Sequence, residues 1–191
     1  AADSACYAAK EAGRNRVHVW YESDRAITER SGNMQWATRL AQALDDGRLC
    51  LVGQPLQPLR GAGEGLHLEA LVRLRDDQGQ LVPPGAFLPA AERFGMAARV
   101  DRWVLREALG WLGTAAGEAV AALHVNFSAQ SLADSSFRDG LLQTVREAGP
   151  RRSAQLCLEI TETVALTRVH ELVPLVEQLR ALGVRLAIDD F

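Results

Sequence analysis

Four oxygen-bearing side chains, Glu69, Asn126, Glu159 and Asp189, recur in similar settings, each within a short stretch of alternating apolar and polar residues. Over 66–74, Leu66, Leu68, Ala70 and Val72 share one face, and His67, Glu69, Leu71 and Arg73 share the other. Over 121–128, Ala121, Leu123, Val125 and Phe127 oppose His124, Asn126 and Ser128. Leu156, Leu158 and Ile160 oppose Glu159 and Thr161; Val184, Leu186 and Ile188 oppose Ala187 and Asp189. A period of two assigns faces on a β-strand. Each strand thus turns an aliphatic side toward its helices and one carboxylate or amide the other way, for Asn126, Glu159 and Asp189 close to the strand's C-terminal end. In a parallel barrel that second face is the interior, and the C-terminal strand ends line one mouth. The four groups then converge. Three gathered carboxylates repel and cannot all stay ionised without compensation. A hard divalent cation supplies it, and oxygen ligands suit magnesium, manganese or calcium better than zinc. Asp190, at the start of the next loop, is placed to reach a second ion. Taken singly, each group is an acidic or polar residue at a strand end, where solvent begins anyway. Shared parity across four strands brings the metal reading level with that plain one.

Pattern and punctuation set the helices and strands that hold these groups. Residues 25–47 are helix-spaced at Ile27, Met34, Leu40 and Leu44, with Gly47 past the end. Strands are expected at 49–56 and 66–74, joined by a glycine-rich turn at 61–65, and then at 121–128, 155–161 and 184–190. Helices are expected at 86–94 and 99–112, broken near Gly95, and at 136–148 and 173–182. The last has Pro174 in its first turn, where a missing N–H is harmless, and Gly183 as its stop. Strand–helix alternation of this kind implies an α/β fold with a mainly parallel sheet and helical crossovers. Before all this, residues 1–13 read as a helix and 16–21 as a short strand. That places a domain boundary near residue 22, with 22–48 as a connecting helix.

Composition narrows the function classes. The 191 residues carry a formal charge of −3, with 48% apolar and 24% charged residues. This is a globular composition without the broad basic surface of a DNA or RNA binder. Cys6, Cys50 and Cys157 show no CxxC spacing, so neither a disulfide framework nor a zinc site is indicated, and a reducing cytosol fits. No apolar run approaches the roughly 20 residues needed to cross a bilayer. Asp3, Lys10 and Glu11 interrupt anything resembling a signal peptide. The expectation is a cytoplasmic domain, with membrane anchoring of a parent protein left open. The chain opens partway into a helical pattern and stops on Phe191 directly after a strand, which reads as a fragment.

The same residues carry a family resemblance. Glu69-Ala70-Leu71, followed by Val72-Arg73, resembles the motif that names EAL domains, and Gln54-Pro55 is similar to the Gln-Pro on their first strand. The segment 83–105, PPGAFLPAAERFGMAARVDRWVL, is similar to the stretch downstream of that motif in the family. Val125-Asn126-Phe127-Ser128, Glu159-Ile160-Thr161-Glu162 and Asp189-Asp190-Phe191 match the next signatures in order and spacing. Residues 2–20 resemble the closing helix and strand of a GGDEF domain, through Ala8-Lys10 and Gly13-Arg14-Asn15-Arg16.

The resemblance implies a partial TIM-type barrel of about five of the eight strands, its first strand antiparallel, spanning 49–191. It implies hydrolysis of cyclic-di-GMP to linear pGpG in bacterial second-messenger signalling. By matched position Glu69, Asn126, Glu159, Asp189 and Asp190 are the catalytic metal ligands for two ions, Mg2+ or Mn2+. Gln54, Leu71 and Arg73 contact the substrate, Arg73 through a charge-assisted bond to phosphate, and Glu162 anchors the loop after Phe191. Ions about 4 Å apart activate water and steady the leaving oxygen. A homodimer through the EAL domain is also expected.

Val72 and Leu74 stand where the family often has Leu and Trp, and Gln130 and Ser131 where Arg and Gln are common. The family's catalytic Lys and further Glu residues fall on later strands, and five strands alone leave an open edge. The 191 residues by themselves are therefore expected to be inactive and poorly folded. Competing readings are a cyclic-di-GMP receptor without turnover, an interaction scaffold, and another metal-dependent barrel of enolase type, which the Gln-Pro and EAL segments disfavour. His67 and His124 are read as core histidines one layer below the ligands, with a supporting role as the alternative. His18 and His170 lack ligand spacing. Trp103 and Trp111 read as core, and Arg151-Arg152 as a solvated turn.

Overall fold

The structure is a computed structural model that describes residues 22–59 and 65–189, with side chains from residue 32 onward. The stretch resembling a GGDEF end (1–21), most of the glycine-rich turn, Asp190 and Phe191 lie outside the described residues.

Helix α1 spans Glu22–Asp45. It stops because Gly47 adopts a left-handed φ of 67°, letting the Arg48 N–H close on the Ala43 carbonyl at 2.8 Å. Strands β1 (Leu49–Leu56) and β2 (Leu66–Arg75) pair antiparallel, from Leu49 opposite Leu74 to Leu56 opposite His67. A tight turn follows in which Asp76 Oδ1 accepts the Gln78 and Gln80 N–H groups at 2.9 and 2.8 Å. It returns the short β3 (Leu81–Val82) onto the end of β2.

A 3-10 turn (Pro84–Ala86) leads to α2 (Leu88–Arg93), α3 (Ala97–Leu112) and α4 (Ala115–Glu118). Gly117 in α4 lies so close to the end of α3 that a Cβ would collide with the Trp111 and Leu112 backbone. Then come β4 (Val120–Asn126), α5 (Ala129–Ala133), α6 (Ser135–Ala148) and α7 (Pro150–Gln155). The described chain ends with β5 (Leu156–Thr161), α8 (Glu162–Thr167), α9 (Val169–Ala181) and β6 (Arg185–Asp189).

The strands order as β1-β2-β4-β5-β6, with β3 attached to β2. Only β1 and β3 run antiparallel to their neighbour; β2, β4, β5 and β6 are parallel. This is the expected partial barrel with a reversed first strand, an open sheet among the described residues. Its core lies between one sheet face and the crossover helices. Val100, Val104, Leu105, Ala108 and Leu112 form the buried stripe of α3; Phe137, Leu141 and Val145 that of α6; Leu172, Leu175 and Leu179 that of α9. They pack on Val72, Leu74, Leu123, Val125, Leu156 and Leu158. Each such Val, Leu or Phe side chain contributes about 1.5–3 kcal/mol by leaving water. Trp103 and Trp111 are half-buried against this core, as expected.

Two expectations need correction. Pro174 is not in the first turn of its helix: α9 begins at Val169, so Pro174 sits inside it. The separate α8 and the Arg168 carbonyl, which accepts the Glu171 and Leu172 N–H groups, start α9 earlier than periodicity suggested. Nor is Arg151-Arg152 a solvated turn. Pro150 occupies the first position of α7, where its fixed φ favours a helix start. Arg152 then donates from Nε to the Ala148 carbonyl at 2.7 Å and from Nη1 to the Leu109 carbonyl at 3.3 Å.

Candidate functional site

The register decides which side chains share a face. Glu69 pairs with His124 across β2 and β4, Asn126 with Glu159 across β4 and β5, and Glu159 with Ala187 across β5 and β6. Thr161 pairs with Asp189. Partners share a face, as do alternate residues of one strand. Glu69, Asn126, Glu159 and Asp189 therefore all lie on the face opposite the helices. Their levels climb: Asn126 is two residues above the partner of Glu69, and Asp189 two above the partner of Glu159.

Two side-chain contacts bind this face together. Asn126 Nδ2 donates to Glu69 Oε1 at 2.8 Å, a diagonal bond between β2 and β4. Glu159 Oε1 lies 2.7 Å from His124 Nδ1. Asp189 is exposed at the end of β6. Among the described residues no three His, Cys, Asp or Glu side chains close into a metal-sized cluster. Here the Glu69 and Glu159 carboxylates are each engaged by a neighbouring amide or imidazole. The donor set is nonetheless all oxygen, from two carboxylates, a carboxamide and Asp189, and that chemistry suits a hard divalent cation.

His124 is more than filler. The Cys157 side chain, its partner across the register, and then the Glu159 carboxylate push its pKa up to about 10, against the opposing effect of burial. Of the two, only Glu159 makes a hydrogen bond of ordinary geometry, so it is the firmer cause; Nε2 is buried without a partner. The His67 ring lies 5.8 Å away, tilted by 44°. By the register His124 is level with Glu69 and one step below Asn126 and Glu159, whereas His67, opposite Ala122, lies a further step down; His124 is bonded directly to a candidate ligand.

The remaining candidates flank the same region. Gln54 on β1 sits directly opposite Glu69 and is exposed. Leu71 and Arg73 follow Glu69 up β2 on its face, and Arg73 Nη1 donates to the Val72 carbonyl at 2.9 Å. Glu162 is the exposed first residue of α8. Asp190 lies outside the described residues.

One participant escaped sequence reasoning. Asp101 of α3 is only 7% exposed, and its Oδ2 accepts both the backbone N–H and the hydroxyl of Ser128 at 2.9 Å. A signal existed: Asp101 falls on the apolar stripe between Val100 and Val104, where a carboxylate is out of place.

A parallel sheet behind one reversed strand, with oxygen-bearing side chains toward the strand ends on the uncovered face, defines a barrel-type α/β domain. Residues 37–191 match the EAL domain family, and the chain belongs to that family. Among relatives, it is 32% identical over 194 residues to the cyclic di-GMP phosphodiesterase PdeB of Shewanella oneidensis, covering 100% of this chain and 22% of that protein. It is 37% identical over 197 residues to the bifunctional diguanylate cyclase/cyclic di-GMP phosphodiesterase MucR of Pseudomonas aeruginosa, covering 100% of this chain and 27% of that protein. The FimX EAL domain of Pseudomonas aeruginosa bound to c-di-GMP superposes with a TM-score of 0.70 at 31% identity, over 82% of this chain and 62% of that one. The chain thus spans about a quarter of those full-length relatives and less than two thirds of that domain.

Proposed function

We propose that this chain supplies the first ligand-bearing strands of a phosphodiesterase that hydrolyses cyclic-di-GMP to linear pGpG. The observation that carries the reading is the Asn126–Glu69 bond between separate strands, with Glu159 level with Asn126 in the register. The matches to cyclic di-GMP phosphodiesterases support it. Glu69, Asn126, Glu159 and Asp189, together with Asp190, would hold two ions, Mg2+ or Mn2+. Bound there, such ions supply an activated water and neutralise charge on phosphate.

The chain's own residues do the rest. Asn126 orients the Glu69 carboxylate, and His124 holds Glu159 in place from below. Gln54, Leu71 and Arg73 line the route by which a dinucleotide meets that face, with Arg73 donating to phosphate. Glu162, the first residue of α8, would anchor the loop after Phe191. The reading carries a cytoplasmic location, a homodimer through the EAL domain, and a GGDEF end at 1–21 joined through the helix at 22–48. Residues 1–191 alone are inactive in this reading, because the matched domain continues past the part they cover.

The deciding experiment is turnover of cyclic-di-GMP by the full-length protein with Mg2+ or Mn2+, followed chromatographically as pGpG. Activity that disappears in Glu69→Ala supports the proposal. Binding of the dinucleotide without turnover points instead to a receptor.

A further inference from the structure

We infer that Asp101 is a positioning residue for Asn126: from helix α3 it clamps the turn after β4 through Ser128, and so holds the Asn126 amide against Glu69. The inference rests on the phosphodiesterase reading for its consequence, but not for its geometry. Asn126 is the last residue of β4, and only Phe127 separates it from Ser128. The Asp101 carboxylate accepts from Ser128 twice, through N–H and hydroxyl, both at 2.9 Å. The Ser128 hydroxyl in turn accepts the Ser131 N–H at 3.1 Å, capping α5, and lies 2.8 Å from the fully buried Ser131 hydroxyl. Between them, the Phe127 N–H donates to the Glu159 carbonyl at 3.2 Å, and its ring meets Phe137 edge-on at 5.4 Å. The turn is therefore gripped from the helix layer, from β5 and from the core at once.

Stability alone is a poor reason for this arrangement. Asp101 is the one charged residue among the buried side chains of the described residues, with no basic side chain paired to it there. Burying a carboxylate costs free energy that an apolar residue would not. What it provides is an acceptor for the Ser128 N–H, which would otherwise be stranded, and a second partner for the Ser128 hydroxyl, where a strand carrying a candidate ligand turns into a helix. Partners that orient a metal ligand matter nearly as much as the ligand: losing one commonly weakens metal affinity or activity roughly 10- to 100-fold.

The test uses the full-length protein labelled with 15N-asparagine, with Mn2+ titration, melting temperature and the Asn126 side-chain amide resonance as readouts. Asp101→Leu is expected to move that resonance toward the solvent-exposed position and weaken Mn2+ binding roughly 10- to 100-fold. Asp101→Asn is expected to preserve both, because one amide oxygen can accept both bonds. Leu109→Ala, in the same helix, is expected to lower the melting temperature and leave the resonance and the affinity alone. The inference is overturned if folded Asp101→Leu leaves Asn126 unmoved, or if Leu109→Ala reproduces its effects. Should Asp101→Leu fail to fold, Ser128→Ala decides: a smaller shift of Asn126 in the same direction supports the clamp, and none refutes it. If the unsubstituted protein binds no Mn2+, the phosphodiesterase reading falls, and the Asn126 resonance still judges the positioning role.

Discussion

Val125 and Asn126 are adjacent in sequence and belong to two different molecules in effect. Val125 is fully buried beneath the helices, whereas Asn126 is exposed on the opposite side of the sheet, bonded to Glu69. Leu158 and Glu159 repeat the division of faces one strand away, as do Ala70 and Glu69 on β2, with both carboxylates part-buried. The helix-covered face is aliphatic and closely packed, so its residues hold the strands together. The open face carries ionisable and amide groups, among which Asn126 bonds Glu69 and His124 bonds Glu159. One strand thus divides its residues by parity between holding the fold and carrying the candidate site.

The division is open to direct attack. The largest effect on the open face is expected for Glu69→Ala, which should reduce cyclic-di-GMP turnover by more than about 100-fold, beyond the loss typical of supporting residues. Its melting temperature should stay unchanged or rise slightly, since one of several like charges is removed. The mirror experiment is Leu158→Ala, which should cost about 2–5 kcal/mol in urea unfolding while leaving the metal affinity of the folded fraction intact. A metal affinity that fell with Leu158→Ala at full folding would break the comparison.

A subtler test concerns Asp101, which crosses the divide from the helix side. Burial raises its pKa above the ordinary 3.8, outweighing the hydrogen bonds from Ser131 and Ser128 that lower it. Between 3.8 and that raised value the folded protein holds the proton more readily than the unfolded chain. Stability should therefore fall as pH rises through this window. The urea midpoint of the unsubstituted protein minus that of Asp101→Asn should decline over the interval; a flat difference would mean the carboxylate is not desolvated.

The smallest effect belongs to the exterior of the helix layer. Arg151→Ala removes a 2.7 Å ion pair with Glu118 in which both side chains are about half exposed, and should cost less than about 1 kcal/mol. Arg152→Ala, which releases two backbone carbonyls, should cost more. Equal losses would show that the neighbouring arginines are not in different environments.

Much of this was legible beforehand because it depends on short-range rules. Strand parity follows from a two-residue period, so the face carrying Glu69, Asn126, Glu159 and Asp189 could be assigned before any pairing was known. Gly47 and Gly95 marked helix ends because few other residues accept positive φ. The early start of α9 around Pro174 was not legible, since Arg168 and the preceding α8 set it. Nor was the helix at Arg151-Arg152, which the Leu109 carbonyl of α3 helps to hold. Asp101 went unnoticed because its partner, Ser128, lies 27 residues away.

Periodicity alone determined which side chains share a face of each strand, because alternation is a local property of extended backbone. Only the assembled sheet decided their relative heights, that Asn126 reaches Glu69 while Glu159 reaches His124, and that a helix carboxylate reaches the turn just after Asn126. Those outcomes depend on register and crossover packing, which join residues far apart in the chain.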